Sequence, residues 1–466
     1  MILATCCLSL LVVAMDMTIV NVALPAIRQD LGASLSGLQW VLDAYTIVLA
    51  SFLMLGGSTA DRFGRRRIFQ LGMALFCVGS LLCSLSPGVG WLIAARVVQA
   101  LGGSMLNPVA MSIVVNTFPA PQERARAIGI WGAVAGISMA LGPLAGGALT
   151  QSLGWHAVFW INLPVGALAL LLTALYVPES RAPRPRRPDP VGQALLLIGL
   201  AALTFSLIEG PKSGAGLAAA TALLAASAFA LLPLYESRRR EPLLDPRFFR
   251  SVPFSSATLI AVCMFASMGA FLFLGSIYLQ EVRGLSALHT GLCLLPMALA
   301  VVIVSPLSGR LVGARGARPS LLISGGMLAL SALLMTWLQA DTPLPLLLLT
   351  FCIFGVGFGM VNAPVTYAAV SGMPRAQAGL ASAIASTSRQ VGVSIGVALA
   401  GALAGGGQSW RGANWSAYPA ATHPVWWILF GCGVLVLGLG LLSTGAWARL
   451  SAERIAHLLQ EPEPAA

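Results

Sequence analysis

The amino-acid sequence predicts an all-α polytopic membrane protein with fourteen transmembrane helices. Of its 466 residues, 57% are hydrophobic and only 9% are charged, whereas about 25% of the residues of an ordinary soluble domain are charged. The hydrophobic residues form continuous runs and lack the alternation expected of a membrane β-barrel. Because backbone polar groups must be paired inside a bilayer, each run is predicted to be a helix. This composition excludes a water-soluble globular enzyme.

Each predicted helix is an apolar run of roughly twenty residues or more, the length that crosses the bilayer core. In chain order the runs cover residues 2–26, 38–59, 67–86, 91–117, 124–150, 157–177, 189–209, 215–235, 254–281, 287–312, 319–339, 343–370, 376–405 and 424–447. An even number of spans predicts that both termini lie on the same side of the membrane.

The positions of the basic residues predict which side of the membrane each loop faces. One set of alternate loops holds 21 arginines, and the other set holds only four basic residues, Arg28, Lys212, Arg283 and Arg411. Because cytoplasmic loops carry the excess of Lys and Arg, both termini are predicted to be cytoplasmic. The net charge of +11 is therefore a topology signal, and no nucleic-acid partner is expected. The almost complete absence of lysine is typical of a GC-rich genome and predicts a bacterial inner membrane.

A faint internal repeat divides the chain into two halves. Residues at the end of the second predicted helix and just after it recur 252 positions later, in the pairs Gly57 and Gly309, Gly64 and Gly316, and Arg66 and Arg318. Such repeats are common in secondary transporters. We therefore expect an N-terminal six-helix half at 1–177, a two-helix insertion with flanking cytoplasmic loops at 178–253, a C-terminal six-helix half at 254–447 and a cytoplasmic tail at 448–466.

The most specific motif is GGSTADRFGRRR, which begins at Gly56 and ends at Arg67. Its glycines allow a tight turn between two helices, and Asp61 is expected to cap or face the N-terminus of a neighbouring helix. The motif resembles the loop signature G-x-L-x-D-R-x-G-R-R of the major facilitator superfamily, with Thr59 in place of the leucine. The resemblance implies a cytoplasmic gating loop formed by Gly57, Asp61, Arg62, Gly64, Arg65 and Arg66.

Further segments resemble one branch of this superfamily. The stretch Asp16–Pro25 in the first helix is similar to the D-x-T-I-V-N-V-A-L-P stretch of fourteen-helix drug:proton antiporters, the QacA/EmrB group. The fourth helix has an R-x-x-Q segment that begins at Arg96, with Ala100 where a glycine is common. The segment Trp155–Gly166 has His156 where the family often has Arg. The likeness covers essentially the whole chain and implies the major facilitator fold.

The fifth helix carries a glycine pattern that is similar to the signature of exporters in this superfamily. Small residues four apart let another helix approach closely, and a proline weakens the local hydrogen-bond ladder. Ordinary tight packing would also account for single glycines, but a close contact between the halves could seal one face of a transporter. The residues of the pattern are Gly132, Gly136, Gly142, Pro143, Gly146 and Gly147.

Three ionisable residues inside predicted spans are candidates for proton and substrate coupling: Asp16, Asp43 and Arg96. Asp16 is expected about 16 Å below the outer end of its helix and Asp43 about 7 Å below the surface. At these depths Arg96 could pair with Asp43. Apolar burial favours protonation of a carboxylate and a nearby cation opposes it, so a proton and a cationic substrate can compete for one charge. Helix-packing roles are the alternative for all three residues, and Arg389 receives no assignment.

We expect a monomeric, proton-coupled exporter of a small lipophilic, cationic drug or antibiotic that works by alternating access. Exporters of anionic or neutral metabolites, such as self-made antibiotics, amino acids or siderophores, are the alternative. A membrane-embedded enzyme or a sensor is more remote, because the chain has no HExxH or paired-Asp motif and only 19 residues after Trp447. No P-loop is present. No enzymatic activity, metal site or cofactor is expected, and protons are the predicted coupling ion.

Overall fold

The computed structural model of the protein describes residues 1–118, 120–182, 189–239, 242–371, 378–405 and 415–460. The described residues are predominantly helical and contain no β-strand. Several arginines used for the predicted orientation lie outside this part of the chain, namely Arg184, Arg186, Arg187, Arg240, Arg375 and Arg411.

The predicted all-α polytopic membrane fold is confirmed, with a helix at every predicted span. Among the described residues, thirteen helices are long and apolar enough to cross a membrane. The helix at 378–405 is not one of these thirteen, and its Ser386–Gln390 stretch is polar. The helices are α1 (Ile2–Leu31), α2 (Leu35–Phe63), α3 (Arg65–Ser84), α4 (Val89–Thr117), α5 (Pro121–Leu153), α6 (Ala157–Tyr176), α7 (Pro190–Ser213), α8 (Ala215–Glu236), α9 (Val252–Val282), α10 (Ala287–Arg315), α11 (Ala317–Met335), α12 (Leu344–Val370), α13 (Ala378–Gly405), α14 (Tyr418–Leu442) and α15 (Ala446–Gln460).

The connection between α1 and α2 is shorter than the apolar runs predict. Gly32 ends α1 with a φ of 60°, a left-handed conformation that glycine adopts without steric cost. Ser34 then caps α2, because its hydroxyl accepts a hydrogen bond from the Gly37 N–H at 3.1 Å. Each helix therefore continues past its apolar part, and the charged residues at the end of α1 remain helical.

Two spans are interrupted three to four residues before a proline. The break in α6 follows Trp160 and precedes Pro164, and the break in α12 follows Gly359 and precedes Pro364. Because proline has no N–H to donate to the carbonyl four residues earlier, the ladder is weakened at these points. The first break lies near the start of its span and the second lies past the middle of its span, so they are local features and do not repeat between the halves.

Helix packing follows the same order in the two halves. In the first half α4 packs on α2 and α3, α1 packs on α5, and α3 packs on α6; in the second half α12 packs on α10 and α11, α9 packs on α13, and α11 packs on α14. Gly64 and Gly316, which are 252 residues apart, both join consecutive helices with positive φ values of 116° and 77°. The internal repeat therefore corresponds to repeated packing, while the domain boundaries stay a prediction.

The two halves meet mainly along two helix pairs, α5 with α10 and α2 with α13, and α1 also contacts α9 and α10. The inserted helices α7 and α8 form a hairpin, and α7 packs on both α2 and α13. The insertion therefore lies over one of the seams between the halves and contacts both sides of it.

Candidate functional site

Asp16 and Arg96 form a buried ion pair inside the N-terminal half. The distance from Arg96 Nη1 on α4 to Asp16 Oδ2 on α1 is 2.5 Å, and the two side chains are 1% and 0% exposed. A buried charge pair is tolerated only when its remaining hydrogen-bonding capacity is also satisfied. The geometry therefore requires further polar partners around the pair.

Polar side chains from three helices complete this network. Asp16 Oδ1 accepts hydrogen bonds from Gln99 Nε2 at 2.8 Å and from Asn162 Nδ2 at 3.2 Å. Both of these amides also donate to the hydroxyl of Ser80, at 2.9 Å and 3.2 Å. Gln99 Oε1 in turn accepts from Arg96 Nη1 at 2.7 Å. The carboxylate of Asp16 is thus held by three donors, and a change in its charge affects helices α1, α3, α4 and α6 together.

The guanidinium of Arg96 also contacts α2. Its Nε donates to the carbonyl of Val41 at 3.1 Å, and its central carbon lies 4.0 Å from the centre of the Tyr45 ring. The ring face stabilises a cation by a cation–π interaction. Arg96 therefore connects the carboxylate on α1 to the helix that packs against the C-terminal half.

The structure places Arg96 against Asp16 and not against Asp43. Depth along the helices allowed a pairing of Arg96 with Asp43. The pairing does not form, because the face of α4 that carries Arg96 packs toward α1. The longer helices also change the depths: Asp16 lies about 22 Å from the end of α1, and Asp43 lies about 12 Å from the start of α2. Asp43 is therefore deeper than the apolar run suggested.

Asp43 lies in the seam between the halves, beside the insertion. Its side chain is 0% exposed, Oδ1 is 3.4 Å from the Thr46 hydroxyl, and Oδ2 has no hydrogen-bond partner. Ser394 of α13 lies beside the carboxylate, and its hydroxyl is 3.3 Å from that of Thr204 on α7. Three helices from both halves and the insertion therefore converge on one incompletely satisfied carboxyl group.

The arginine-rich loop is a tight turn between α2 and α3. Asp61 Oδ1 accepts from Arg65 Nε at 3.1 Å and from Nη2 at 2.9 Å, so Asp61 pairs with an arginine of the next helix instead of capping a neighbouring helix. Arg62 is exposed and lies over the Phe63 ring at 5.7 Å. Gly57 packs near Pro108 of α4. Asp61 therefore faces the N-terminus of α3 through an ion pair with its first residue and does not cap that helix.

The segment after α6 holds this loop in place. A side chain at Gly64 would meet the Glu179 carboxylate, with Oε1 only 2.6 Å from the Cβ position. Glu179 Oε1 accepts from the Arg66 N–H at 3.1 Å, and the Arg65 N–H donates to the Ser180 carbonyl at 2.9 Å. Glycine is required at position 64 by both its φ value and this contact. The loop is thus anchored by the first residues after α6.

The glycines of α5 divide into a packed group and an open group. A Cβ at Gly146 would lie 2.7 Å from the Ile19 carbonyl oxygen of α1, and one at Gly147 would lie 2.9 Å from Leu288 Cα of α10. Gly142 and Pro143 also pack closely, against Thr18 and Gly291 respectively. At Gly132 and Gly136, an added Cβ would meet no heavy atom within 4 Å.

These contacts show that the halves are joined at one end of the bundle. We call the end with the turns at Arg62–Arg67 and Arg310–Arg318 the arginine-rich end. At the other end, Arg28 of α1 and Glu281 of α9 form an ion pair at 3.1 Å, and Gln280 Nε2 donates to the Val22 carbonyl at 2.9 Å. Gln39 of α2 also donates to two carbonyls of α13, those of Val397 and Ala398, at 3.1 and 2.9 Å.

Toward the arginine-rich end, α5 and α10 present exposed apolar residues. Ile130 and Ile137 of α5 are each 44% exposed, and Ile303 of α10 is 63% exposed. Glycines at Gly309 and Gly313 in α10 have open space beside them. The described polar and glycine contacts between α1, α5, α9 and α10 therefore gather away from the arginine-rich end, and α5 and α10 present exposed side chains toward it.

The network around Asp16 contains residues that the sequence analysis did not assign. Gln99 and Asn162 lie inside segments that carry the family resemblance, but both are uncharged, so a search for charges inside the spans does not indicate them. Ser80, Ser394 and Thr204 have no distinguishing sequence signal, because isolated hydroxyl residues are common in membrane helices. Among the described residues, no group of His, Cys, Asp and Glu could hold a metal ion.

Comparison with known proteins gives the family. Residues 6–397 match the model of the Major Facilitator Superfamily. The chain is 39% identical over 391 residues to the multidrug resistance protein Stp of Mycobacterium tuberculosis, covering 83% of this chain and 72% of that protein. It is 40% identical over 390 residues to the tetracenomycin C resistance and export protein of Streptomyces glaucescens, again covering 83% and 72%.

A solved structure agrees on the fold. A mutant form of the nucleoside transporter NupG superimposes with a TM-score of 0.67 over 95% of this chain and 99% of that one, at 12% sequence identity. At this identity the likeness concerns the fold alone.

Proposed function

This chain belongs to the Major Facilitator Superfamily and is a transporter and not an enzyme, and we propose that it exports a lipophilic drug or antibiotic from a bacterial cell in exchange for protons. Relatives with 39% and 40% identity are named for multidrug resistance and for antibiotic resistance and export. Their names supply the substrate class of the proposal. The physical steps come from the geometry of the chain.

The observation that carries the proposal is that polar and glycine contacts join the halves at one end, while α5 and α10 present exposed side chains toward the arginine-rich end. The Arg28–Glu281 pair and the Gly147–Leu288 contact hold the closed end. Alternating access requires such a state and its reverse, in which the closed end opens. With the arginine-rich end in the cytoplasm, as the basic loops indicate, a substrate enters from inside the cell. Both termini are then cytoplasmic and the membrane is the inner membrane.

Two carboxyl groups are suited to carry protons. Protonation of Asp16 removes the charge that pairs with Arg96, and this weakens the connection among α1, α2 and α4. Protonation of Asp43 removes an incompletely satisfied charge from the seam of α2, α7 and α13. Asp43 lies at a contact between the halves that must change when they rotate, and the Asp16 network lies within the N-terminal half against α2, the helix that packs on the C-terminal half. The charge of each carboxyl group can therefore bias the conformation. The six-helix halves and the insertion make up one pathway within a single chain, so a monomer suffices.

The charge of the substrate is a separate part of the proposal. Two intramembrane acids favour a cationic substrate, since a cation and a proton compete for the same carboxylate. In this state, however, the Asp16 carboxylate is occupied by Arg96, Gln99 and Asn162. Competition at Asp16 would require a conformation in which Arg96 withdraws.

The proposal can be tested in inside-out vesicles that contain the protein and an imposed inward-acid pH gradient, with a pH-sensitive dye. Addition of an exported compound should release protons from the vesicles, seen as recovery of dye fluorescence. The panel should include cationic, anionic and neutral lipophilic antibiotics, with Asp16→Asn vesicles as the control. If no compound releases protons and none is accumulated by the vesicles, the proposed function is wrong.

A further inference from the structure

Arg389 is an intramembrane charge that the proposed proton pathway does not use. It lies in α13, where its Nη2 donates to the hydroxyl of Thr366 on α12 at 2.7 Å. Its central guanidinium carbon is 5.9 Å from the centre of the Phe265 ring on α9. The Nε atom is buried and has no hydrogen-bond partner. A neutral hydroxyl and an aromatic ring therefore surround the cation, and one of its donors is unsatisfied.

Arg389 belongs to none of the six ion pairs found among the described residues. The buried acids of the N-terminal half are engaged elsewhere, Asp16 with Arg96 and Asp43 beside Thr46 and Ser394. An intramembrane arginine normally pairs with a carboxylate or faces a water-filled cavity, because an isolated charge in hydrocarbon is costly. Within the described part of the chain the charge of Arg389 lacks a counter-ion.

The surroundings of Arg389 place it within the C-terminal half, next to a contact with α1 of the other half. The face of α13 that packs on α9 carries Gly392 and Gly396, which approach Val262 and Ala266 closely. The next residue, Gln390, is 3.7 Å from the Met17 sulfur on α1 of the other half. Thr366, the partner of Arg389, is exposed near the arginine-rich end of α12. The guanidinium therefore lies at the level of the Asp16 network, and the hydroxyl that it contacts is exposed toward the arginine-rich end.

We propose that Arg389 binds an anionic group, a carboxylate or a phenolate, on the exported molecule. The guanidinium has five N–H donors in a planar fork and Thr366 takes one of them, so a donor pair is left for an anionic oxygen. The Phe265 ring supplies an apolar surface beside the charge for the lipophilic part of the molecule. This inference rests on the proposed export function. It assigns to the exporter a substrate with an anionic group, in place of the cationic substrate that the intramembrane acids favour.

The test uses two dyes that share a xanthene ring and differ in charge, the anionic fluorescein and the cationic rhodamine 6G. Uptake of each dye is measured in inside-out proteoliposomes under a pH gradient, with wild type, Arg389→Gln and Arg389→Lys. The control is Arg310→Gln, which removes an exposed arginine at the end of α10. Loss of a charge-assisted hydrogen bond should lower kcat/KM for fluorescein by about 10- to 100-fold in Arg389→Gln. Arg389→Lys should lose less, and rhodamine 6G uptake should stay within about two-fold in both variants.

The inference is overturned if Arg389→Gln lowers the uptake of both dyes equally, or of neither, or if the wild type transports rhodamine 6G and not fluorescein. That last result leaves the export function intact, whereas transport of neither dye and of no antibiotic in the panel contradicts the export function itself. If Arg389→Gln does not fold, Thr366→Val keeps the charge and removes only its orienting acceptor. A selective loss of about two- to ten-fold for fluorescein supports the inference, and an equal loss for both dyes contradicts it.

Discussion

Replacement of Asp16 by Asn tests the buried network most sharply. The change is nearly isosteric, but it removes the charge that faces Arg96 while Arg96 stays 1% exposed. The carboxylate accepts from three donors, on Arg96, Gln99 and Asn162. An amide has one acceptor oxygen and one NH₂ donor, so at least one of these donors then faces another donor. The substitution therefore leaves the charge of Arg96 without a counter-ion and one buried hydrogen-bond donor without an acceptor.

Breaking one partner of a buried ion pair costs about 3–5 kcal/mol. We therefore expect Asp16→Asn and Arg96→Gln each to lower the free energy of unfolding by about that amount in mixed detergent micelles. The double variant has no uncompensated charge, so its loss should be smaller than the sum of the two by about 2–3 kcal/mol. Proton release should be lost in all three variants.

The assay is equilibrium unfolding followed by tryptophan fluorescence, with Asp30→Asn as the matched control. Asp30 lies on the same helix, is exposed, and accepts one hydrogen bond from the Trp155 indole at 2.7 Å. An asparagine can still accept that bond, so the control should cost about 1 kcal/mol or less. Strictly additive losses for Asp16→Asn and Arg96→Gln would refute the reasoning, because independent residues do not form a coupled pair.

Three other predictions concern the closed end, the glycines and the seam. Removal of the ion pair between Arg28 and Glu281 by Glu281→Gln should favour opening of the closed end by about 1 kcal/mol, or about five-fold in the equilibrium constant. Spin-label distances across this end should lengthen, and an unchanged distance distribution would argue against a gate there. Gly147→Val should prevent closure and abolish transport, because a Cβ at position 147 would lie 2.9 Å from Leu288 Cα. Gly132→Val should retain transport, because a Cβ at position 132 meets open space. Equal dye efflux by the two variants would contradict this role of Gly147. Asp43→Asn should keep drug binding but reduce the protons released per drug, and unaltered stoichiometry by pH-indicator titration would exclude Asp43 as a proton carrier.

Hydropathy and charge position were sufficient to predict the fold. Each apolar run had to be a helix because the bilayer core has no water to form hydrogen bonds with backbone N–H and C=O groups. The match between the runs and α1–α14 follows from this requirement. The ends were less accurate, since helices continue into polar residues such as Arg28 wherever a turn like that at Gly32 allows it. Hydropathy detects the membrane core and does not detect caps.

The site could be predicted only in part. Asp16 and Arg96 could be identified from the sequence because a charged side chain inside the bilayer is energetically costly and usually functional. Their partners depend on which faces of α1 and α4 pack together. Residue spacing along one helix does not predict which faces of α1 and α4 pack against each other. Depth in the membrane was therefore the only criterion, and it allowed Asp43 as the partner of Arg96. Ser394 and Thr204 are brought to Asp43 by packing between distant segments, which no local pattern encodes.

The most direct test of the proposed transport cycle is drug uptake into inside-out proteoliposomes that contain only the purified protein. The proposed cycle predicts that uptake begins when an inward-acid pH gradient is imposed, stops when a protonophore collapses the gradient, and is absent in Asp16→Asn. Uptake that persists after the gradient collapses, or that Asp16→Asn carries out at the wild-type rate, would contradict proton-coupled export through the buried network.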